Sequence, residues 1–324
     1  ERYPRGATSA AGRAGRTDAE SVSSAPGPAP RPALGVIGPG RAGTGLALAW
    51  ARAGYPVRLH GRRAKGVPSP LTLTVGPANE PPPWLAQVSV VILAVPDDAI
   101  PPLADALAAS GGIRAEQVVL HLSGSRGREV LEGLASSGAA LGSLHPLQTL
   151  VEPDRAPLHL RGAWAAVEGM PRAVEVAERL ARAVGLRPFR VRPEDKALYH
   201  AGAVFASNYF VVVEAVAEQL LRQAGLSEAD AWAALRPLVR GTLDNLVREG
   251  PLKALTGPVL RGDAETVARH LAALPEAVLG LYRGLSTSAL DLARRRGLDE
   301  ASAARMVLTL TTDPPPSRRQ EPRT

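Results

Sequence analysis

Two side chains that can carry a proton stand four residues apart in the segment KALYHAGAVFASNYF, which runs from Lys196 to Phe210. This spacing places Lys196 and His200 on one face of a helix. An ordinary histidine pKa of about 6.5 lies near neutrality, whereas burial must lower the pKa of a lysine before it can act as a base. Both residues are candidates to donate a proton to a substrate, and His145, in LHPLQTL, is a third. The alternative is a solvated helix start with a structural histidine.

Hydrogen-bonding side chains accompany these three residues. We expect four of them to bind the substrate: Ser123, Gln148, Ser207 and Asn208. Ser207 continues the face of Lys196 and His200, and Asn208 lies beside it, among small residues that leave room for a ligand. Ser123 follows an apolar strand in HLSGS, where a serine can instead cap the next helix. His145 can likewise serve only to bond loop backbone.

The segment GVIGPGRAGTG predicts a phosphate-binding loop. Gly38, Gly40 and Gly43 match the pattern G-x-G-x-x-G directly after a predicted strand and at the start of a predicted helix. The first glycine permits a tight turn, the second lets a pyrophosphate approach the backbone, and the third lets helix and strand pack closely. The whole loop is expected to bind the cofactor: Gly38, Pro39, Gly40, Arg41, Ala42 and Gly43. A glycine turn without a ligand is the alternative.

An arginine pair indicates which dinucleotide the loop binds. About twenty residues after such a loop, NAD-binding proteins carry an acidic residue that bonds the ribose hydroxyls. This chain has Arg62 and Arg63 there instead. Guanidinium groups pair well with a ribose 2′-phosphate, so NADP is favoured over NAD. At a later strand end, AVPDD supplies three further expected cofactor contacts, Val95, Pro96 and Asp97, of which Asp97 can alternatively cap the next helix.

Short β-branched runs alternate with helical stretches in the first two thirds of the chain. Eight segments predict strands: ALGVIG, YPVRLHG, LTLTV, VSVVILAV, EQVVLHLSG, AALGSLHP, GAWAAVEG and RPFRV. This alternation predicts an α/β fold with a doubly wound, mostly parallel Rossmann sheet, whose ligands bind at the carboxyl ends of the strands. After Pro193 the strand signals stop, and apolar periodicity predicts helices at about residues 194–224, 227–249, 263–273 and 275–296.

The predicted organisation has four parts. Residues 1–32 are rich in Ala, Gly, Ser, Pro and Arg without apolar periodicity and are expected to be disordered, as is the tail at 313–324. Between them we expect a Rossmann-like NAD(P)-binding domain at 33–192 and an all-α C-terminal domain at 193–312.

Composition argues against several classes of function. The chain has no cysteine, so disulfides, thiolate metal sites and cysteine nucleophiles are excluded, and the histidine spacing suggests no metal site. The net charge is +7 and the pI about 10.3, but the arginines are scattered and aromatic residues are few, so we expect no nucleic-acid partner. No uninterrupted apolar run of about 18 residues occurs, so we expect no membrane span and a cytoplasmic location.

The chain resembles a family of uncharacterised bacterial proteins that join a Rossmann-like domain to a helical C-terminal domain of unknown function. The resemblance covers about residues 33–290 and rests on these motifs in order: GVIGPGRAGTG, LAVPDDAI, HLSGS, LHPLQTL, VEGM, KALYHAGAVFASNYFVVV and TGPVLRGDAETVARHL. More distantly, the chain resembles pyrroline-carboxylate reductases, ketopantoate reductases, prephenate dehydrogenases and β-hydroxyacid dehydrogenases. The implied domain arrangement is that of 6-phosphogluconate dehydrogenase.

This resemblance implies an NADP-dependent oxidoreductase that transfers a hydride between nicotinamide and a small carbonyl, hydroxy-acid or imine substrate held between the domains. It also implies a homodimer through the helical domain. In β-hydroxyacid dehydrogenases a lysine in the place of Lys196 handles the substrate proton, but the asparagine one turn later is replaced here by His200. Prephenate dehydrogenases use a histidine before proline, as in His145. The alternative is a non-catalytic NADP-binding sensor or partner-binding protein.

Overall fold

The computed structural model describes residues 31–77 and 80–313, which form two compact units divided between Ala201 and Gly202. The expected disordered segments, 1–32 and 313–324, lie almost entirely outside these residues. The division falls inside a helix, a few residues beyond the expected boundary at 192, because the first turns of that helix pack with the sheet that precedes it.

All eight predicted strands form, and they lie in one sheet. They are β1 to β8 in chain order: Leu34–Ile37, Val57–Gly61, Leu73–Val75, Val90–Leu93, Val118–His121, Ala140–Leu147, Trp164–Gly169 and Arg187–Arg190. Their spatial order is β3-β2-β1-β4-β5-β6-β7-β8. The first six strands pair in parallel, whereas β7 is antiparallel to β6. The predicted α/β fold with a mostly parallel Rossmann sheet is therefore confirmed.

Helices cover both faces of this sheet. One face packs against α1 (Arg41–Arg52), α3 (Ala156–His159) and α4 (Pro171–Ala183), and the other against α2 (Ile100–Ala109) and a 3-10 segment, Arg128–Ser137. The central strands β1, β4 and β5 are buried along their whole length, which explains their continuous apolar sequences. The strand order reverses at β1, so a crevice is expected beyond the carboxyl ends of β1 and β4.

The second unit is entirely helical over its described residues. Its helices, with the one that leads into it, are α5 to α10: Lys196–Val204, Phe210–Gln223, Glu228–Ala254, Ala264–Ala273, Glu276–Arg295 and Glu300–Thr311. The helix expected at 194–224 is interrupted by a π turn, Phe205–Tyr209. α7 bends at Gly250, which has a φ of +75° and directly follows the predicted helix at 227–249. α10 was not predicted, although Asp299 caps its first turn by accepting from the Ser302 amide.

Two helices of this unit bury little of their surface. α6 buries none of its residues, and α7 buries only Ala231 and Leu235, whereas the unit's core cluster is built mainly by α8, α9 and α10. The stretch Pro193–Gln223 contains an 18-residue window with a mean hydropathy of 1.3, so it is long and apolar enough to cross a membrane, judged by length and composition alone. An uninterrupted apolar run does not reveal this stretch, because scattered polar residues break the run while an 18-residue window keeps a high mean hydropathy.

Candidate active site

The glycine-rich loop is built by close backbone approach between β1, α1 and the residue after β4. Gly38 has a φ of +107°, and a Cβ there would lie 2.3 Å from the carbonyl oxygen of Ala94. A Cβ on Gly43 would lie 2.1 Å from the oxygen of Gly38, whereas one on Gly40 would meet nothing within 4 Å. The first and third glycines are therefore required by packing, and the second leaves open space over the backbone.

The first turn of α1 presents unused hydrogen-bond donors toward that space. The first helical bond runs from the Thr44 amide to the oxygen of Gly40, at 2.9 Å. The amides of Arg41, Ala42 and Gly43 consequently have no partner within the helix. The buried Oγ1 of Thr44 also has no hydrogen-bond partner among the described residues. These donors, with no acidic residue in the first turn, fit the pyrophosphate of a dinucleotide.

The arginine pair follows the strand that lies beside this loop. Pro39 packs against the end of β2, since a Cβ on Gly61 would lie 2.5 Å from its Cγ. Arg62 and Arg63 come directly afterwards and are exposed. Their position next to the loop is compatible with the ribose end of the cofactor.

An aspartate joins the loop after β4 to the loop after β5. Oδ2 of Asp97 accepts from the hydroxyl of Ser123 at 2.7 Å and from that of Ser125 at 2.9 Å. Val95 touches Gly38, because a Cβ on that glycine would lie 3.0 Å from its Cγ1. The glycine-rich loop, the β4 loop and the β5 loop thus form one continuous set of contacts.

His121 fixes the β5 loop from inside the sheet. It is fully buried; its Nδ1 accepts from the Ser123 amide at 3.2 Å, and its Nε2 lies 3.0 Å from the oxygen of Gly127. Because Nδ1 is an acceptor, Nε2 carries the proton that the Gly127 oxygen accepts. Burial, assisted by the charge of Lys196, lowers the pKa of His121 to about 4. The residue is structural, and its task is to hold Ser123.

Two further imidazoles border the backbone of Gly124. The rings of His145 and His200 lie 5.7 Å apart at an angle of 74°. A Cβ on Gly124 would lie 2.8 Å from Nε2 of His145 and 2.4 Å from Cδ2 of His200. Nδ1 of His145 is 2.8 Å from the hydroxyl of Tyr199. Any side chain at position 124 would fill the space between the two imidazoles, so the glycine leaves both rings accessible from the strand end.

Lys196 lies under the same strand ends and is fully buried, with 0% of its surface exposed. Its Nζ donates to the oxygen of Ser123 at 3.1 Å and to Oγ of Ser143 at 2.7 Å. Ser143 lies 3.4 Å from Oε2 of Glu168, its register partner on β7. Burial raises the pKa of Glu168 and lowers that of Lys196, and the attraction between the two charges opposes both shifts. The contacts of Lys196, Ser143 and Glu168 thus hold β5, β6, β7 and α5 together.

Gln148, Ser207 and Asn208 complete the set of residues that were predicted to bind the substrate. The amide of Gln148 is engaged locally, donating to the oxygen of His159 at 3.1 Å and accepting from the Thr149 amide at 2.9 Å. Ser207 and Asn208 lie in the π turn, within the second unit. Over the described ranges, no three His, Asp or Glu side chains are grouped so that they could hold a metal ion.

Three residues that build this site were not predicted from the sequence: Ser143, Glu168 and Tyr199. Glu168 had a detectable signal, because a carboxylate inside the apolar strand WAAVEG needs a buried partner. Its partner could not be named without the antiparallel register that places Glu168 beside Ser143. Tyr199 stands between the two expected proton carriers in sequence, but which histidine it contacts depends on the path of β6.

Lys196 should lose its proton at a lower pH than an ordinary lysine does. Burial lowers its pKa from 10.5 to about 8. The unfolded chain therefore binds more protons between about pH 8 and 10.5, and this group's contribution to the free energy of unfolding rises with pH in that window. Carbon-13 NMR of lysine-labelled protein should show one of three signals titrating near pH 8. Lys65→Arg and Lys253→Arg should each delete another signal, and a midpoint near 10.5 for Lys196 would contradict the expectation.

Comparison with known proteins agrees with this architecture. Residues 19–146 match the family model described as a Rossmann-like domain, and residues 163–289 match the model described as a domain of unknown function, DUF2520. No curated protein matches the sequence.

Several solved structures share the fold over most of the chain. A candidate NADP oxidoreductase from Bacteroides fragilis is 23% identical, with a TM-score of 0.66 over 81% of this chain and 98% of that chain. An imine reductase from Myxococcus stipitatus in complex with NADP+ is 18% identical, with a TM-score of 0.53 over 85% and 100%. Pyrroline carboxylate reductase from Plasmodium falciparum, with NADP bound, is 15% identical, with a TM-score of 0.52 over 85% and 100%. The chain therefore joins a Rossmann-like domain to a DUF2520 domain, in a fold that these oxidoreductases share.

Proposed function

We propose that this protein is an NADP-dependent oxidoreductase that reduces a small carbonyl or imine compound, or oxidises the corresponding hydroxy acid. One observation carries the proposal: an unbroken set of contacts leads from the dinucleotide loop at Gly38, through Val95 and Asp97, to the paired imidazoles at Gly124. A cofactor bound along the loop would extend toward the carboxyl ends of β4 and β5. This arrangement supports a site in which the titratable groups meet the substrate beside nicotinamide.

The chain's own residues supply orientation and a proton. Bound NADPH supplies a hydride, from C4 of its nicotinamide, to the carbon of a C=O or C=N group. His200 is partly exposed beside Gly124 and is our proposed proton donor to the oxygen or nitrogen of that group. His145 would bind the same atom. Ser123, held by Asp97, is placed to orient the substrate or the nicotinamide amide.

We assign Lys196 a positioning role. Its Nζ donates to the Ser123 oxygen and to the Ser143 hydroxyl, and none of its surface is exposed. A buried ammonium that already donates hydrogen bonds to two strand ends cannot reach a substrate without breaking those hydrogen bonds. Its contribution to the reaction is to fix the position of Ser123.

The proposal is tested by offering keto acids, hydroxy acids and cyclic imines to the protein with NADPH or NADP+ and following the nicotinamide absorbance at 340 nm. Turnover of any member supports an oxidoreductase. Tight NADPH binding without turnover across the panel would instead indicate the non-catalytic sensor.

His200→Ala should lower turnover about a hundredfold while leaving NADPH affinity within twofold. A positioned acid typically contributes this much or more, and the imidazole lies by the substrate rather than the dinucleotide loop. Steady-state kinetics and fluorescence titration with NADPH measure the two quantities. His159→Ala removes an exposed histidine outside the site and is the matched control. An unchanged kcat for His200→Ala would remove its proposed role.

The double variant Arg62→Ala, Arg63→Ala should weaken NADPH binding about 10- to 100-fold and change NADH binding little. Each hydrogen bond to a charged phosphate contributes about 1.5–3 kcal/mol, and only NADPH carries the 2′-phosphate. Arg58→Ala removes an exposed arginine of β2 and is the control for general charge. Equal losses for the two cofactors would contradict the preference for NADP.

We also propose that a second copy of this chain covers the apolar side of α6 and α7. Phe205, in the π turn that leads into α6, is 67% exposed, and Val247 of α7 is 88% exposed. Monomeric proteins rarely leave large contiguous apolar surfaces uncovered. Across the part of the chain that the structure describes, the charged residues on α6 and α7 without an ion-pair partner include Glu214, Glu218, Arg236 and Arg240. A two-fold related copy can bring these opposite charges together. A membrane-spanning role does not suit the apolar stretch Pro193–Gln223, because Lys196 anchors the first turn of that stretch to the strand ends.

Sedimentation velocity should show a dimer at micromolar concentration, and Val247→Glu together with Val212→Glu should produce monomers. Leu158→Glu places the same charge on an exposed leucine of the first unit and should leave the dimer intact. A monomeric wild-type protein that co-sediments with phosphatidylglycerol vesicles would show that the apolar surface serves a membrane instead.

A further inference from the structure

We propose that Tyr199 is a positioning residue that holds His145 in the tautomer with its proton on Nε2, so that His145 presents a fixed hydrogen-bond donor to the substrate. The inference rests on the proposed function and deepens it, because it separates the roles of the two imidazoles at Gly124. It also assigns a task to a tyrosine whose role could not be predicted from the sequence.

The contact is well defined in distance and angle. The hydroxyl of Tyr199 lies 2.8 Å from Nδ1 of His145, and the two rings meet edge to face at 84° with centroids 5.6 Å apart. On its other side, the Tyr199 ring meets Phe189 of β8 at 5.6 Å and 70°, and Phe189 meets Trp164 of β7 at 6.0 Å. The tyrosine is therefore clamped between an edge strand and the histidine, and its hydroxyl has little freedom to turn elsewhere.

The direction of this hydrogen bond follows from the chemistry of its two partners. Within the described residues, the Tyr199 hydroxyl has no hydrogen-bond partner other than His145. Burial raises the pKa of Tyr199 to about 12, so the phenol keeps its proton and can donate it. A phenol oxygen is a weak acceptor, whereas the unprotonated nitrogen of an imidazole is a strong one. The bond is therefore O–H···Nδ1, which leaves the imidazole proton on Nε2.

The surroundings keep His145 neutral. The ionisable groups that influence it are Tyr199, His200, Lys196 and Asp97, and only the aspartate favours a positive charge. Burial is the largest influence, followed by His200 and Lys196, and together they lower the pKa of His145 to about 4. A histidine in this state has one N–H and one lone pair, and Tyr199 occupies the lone pair.

The remaining N–H points to the space that Gly124 keeps open. Nε2 is one of the two His145 atoms that a Cβ on Gly124 would approach to 2.8 Å. A neutral imidazole is a poor proton donor but a good hydrogen-bond donor to an oxygen or nitrogen on which negative charge develops. His145 therefore polarises the C=O or C=N group, and the proton itself is left to His200. The two histidines act in different ways on the same atom.

The chain contains a matched pair away from these strand ends. In the helical unit, Nδ1 of His270 lies 2.7 Å from the hydroxyl of Tyr282, with the rings 5.8 Å apart at 88°. Tyr282→Phe therefore removes a tyrosine–histidine hydrogen bond of nearly the same geometry without touching His145. It controls for any general effect of losing one such bond.

The test is the nitrogen-15 NMR spectrum of histidine side chains in the full-length protein at pH 7, without cofactor or substrate. We expect His145, assigned with His145→Gln, to show a protonated Nε2 and an unprotonated Nδ1. Tyr199→Phe should shift both nitrogens of His145 toward values averaged between tautomers, and Tyr282→Phe should leave them unchanged. A proton on Nδ1 of wild-type His145 would overturn the inference, as would a Tyr199→Phe spectrum with His145 unaltered.

Kinetics separate this inference from the proposed function. With whichever panel compound the wild type reduces, Tyr199→Phe should lower kcat about tenfold with NADPH affinity within twofold, and Tyr282→Phe should change neither. An active enzyme whose His145 carries its proton on Nδ1 would refute the tautomer and leave the oxidoreductase standing. Conversely, the expected tautomer in a protein that turns over nothing would refute the oxidoreductase alone.

Discussion

A lysine ammonium buried beneath the ends of two strands is the contact on which the candidate site depends. Lys196 bonds the backbone oxygen of Ser123 and the hydroxyl of Ser143, and through that hydroxyl it approaches Glu168. Burying such a charge is costly unless it is paired and fully hydrogen-bonded. The geometry of β5, β6 and β7 must therefore satisfy the ammonium, and the helix that carries it is tied to the sheet at one point.

That attachment sets the positions of the residues that follow it on the helix. Tyr199 and His200 come three and four residues after Lys196, which places them about one turn further along. Tyr199 contacts His145, and His200 contacts the backbone side of Gly124. The opening between the imidazoles is thus defined from three directions: the aspartate that holds the β5 loop, the buried His121, and the anchored helix. Preorganisation of this kind is what electrostatic catalysis requires.

The fold could be predicted almost completely from the sequence, because strands buried on both faces and a glycine-rich turn leave strong local signals. All eight strands form where the apolar runs predicted them. The site could be predicted only in part. His145, His200, Ser123 and Asp97 stand at strand ends or on a helix face, where topology alone brings them together. The tasks of Tyr199 and Glu168 depend on the strand register between β6 and β7, and that register is set by contacts far apart in sequence. The burial of Lys196 has the same origin.

The antiparallel pairing of β6 with β7 joins strands that lie on opposite sides of the boundary between the two family matches. The DUF2520 match starts at residue 163, so β7, α4 and β8 belong by sequence to the second family but by structure to the first unit's sheet. Separation at that sequence boundary would leave β6 as an uncovered edge with a row of unpaired backbone groups, a surface prone to aggregation. It would also part His145 from Tyr199 and Ser143 from Glu168. The two sequence families therefore do not correspond to two separate structural modules in this chain, because strands from the DUF2520 match complete the sheet of the Rossmann-like match.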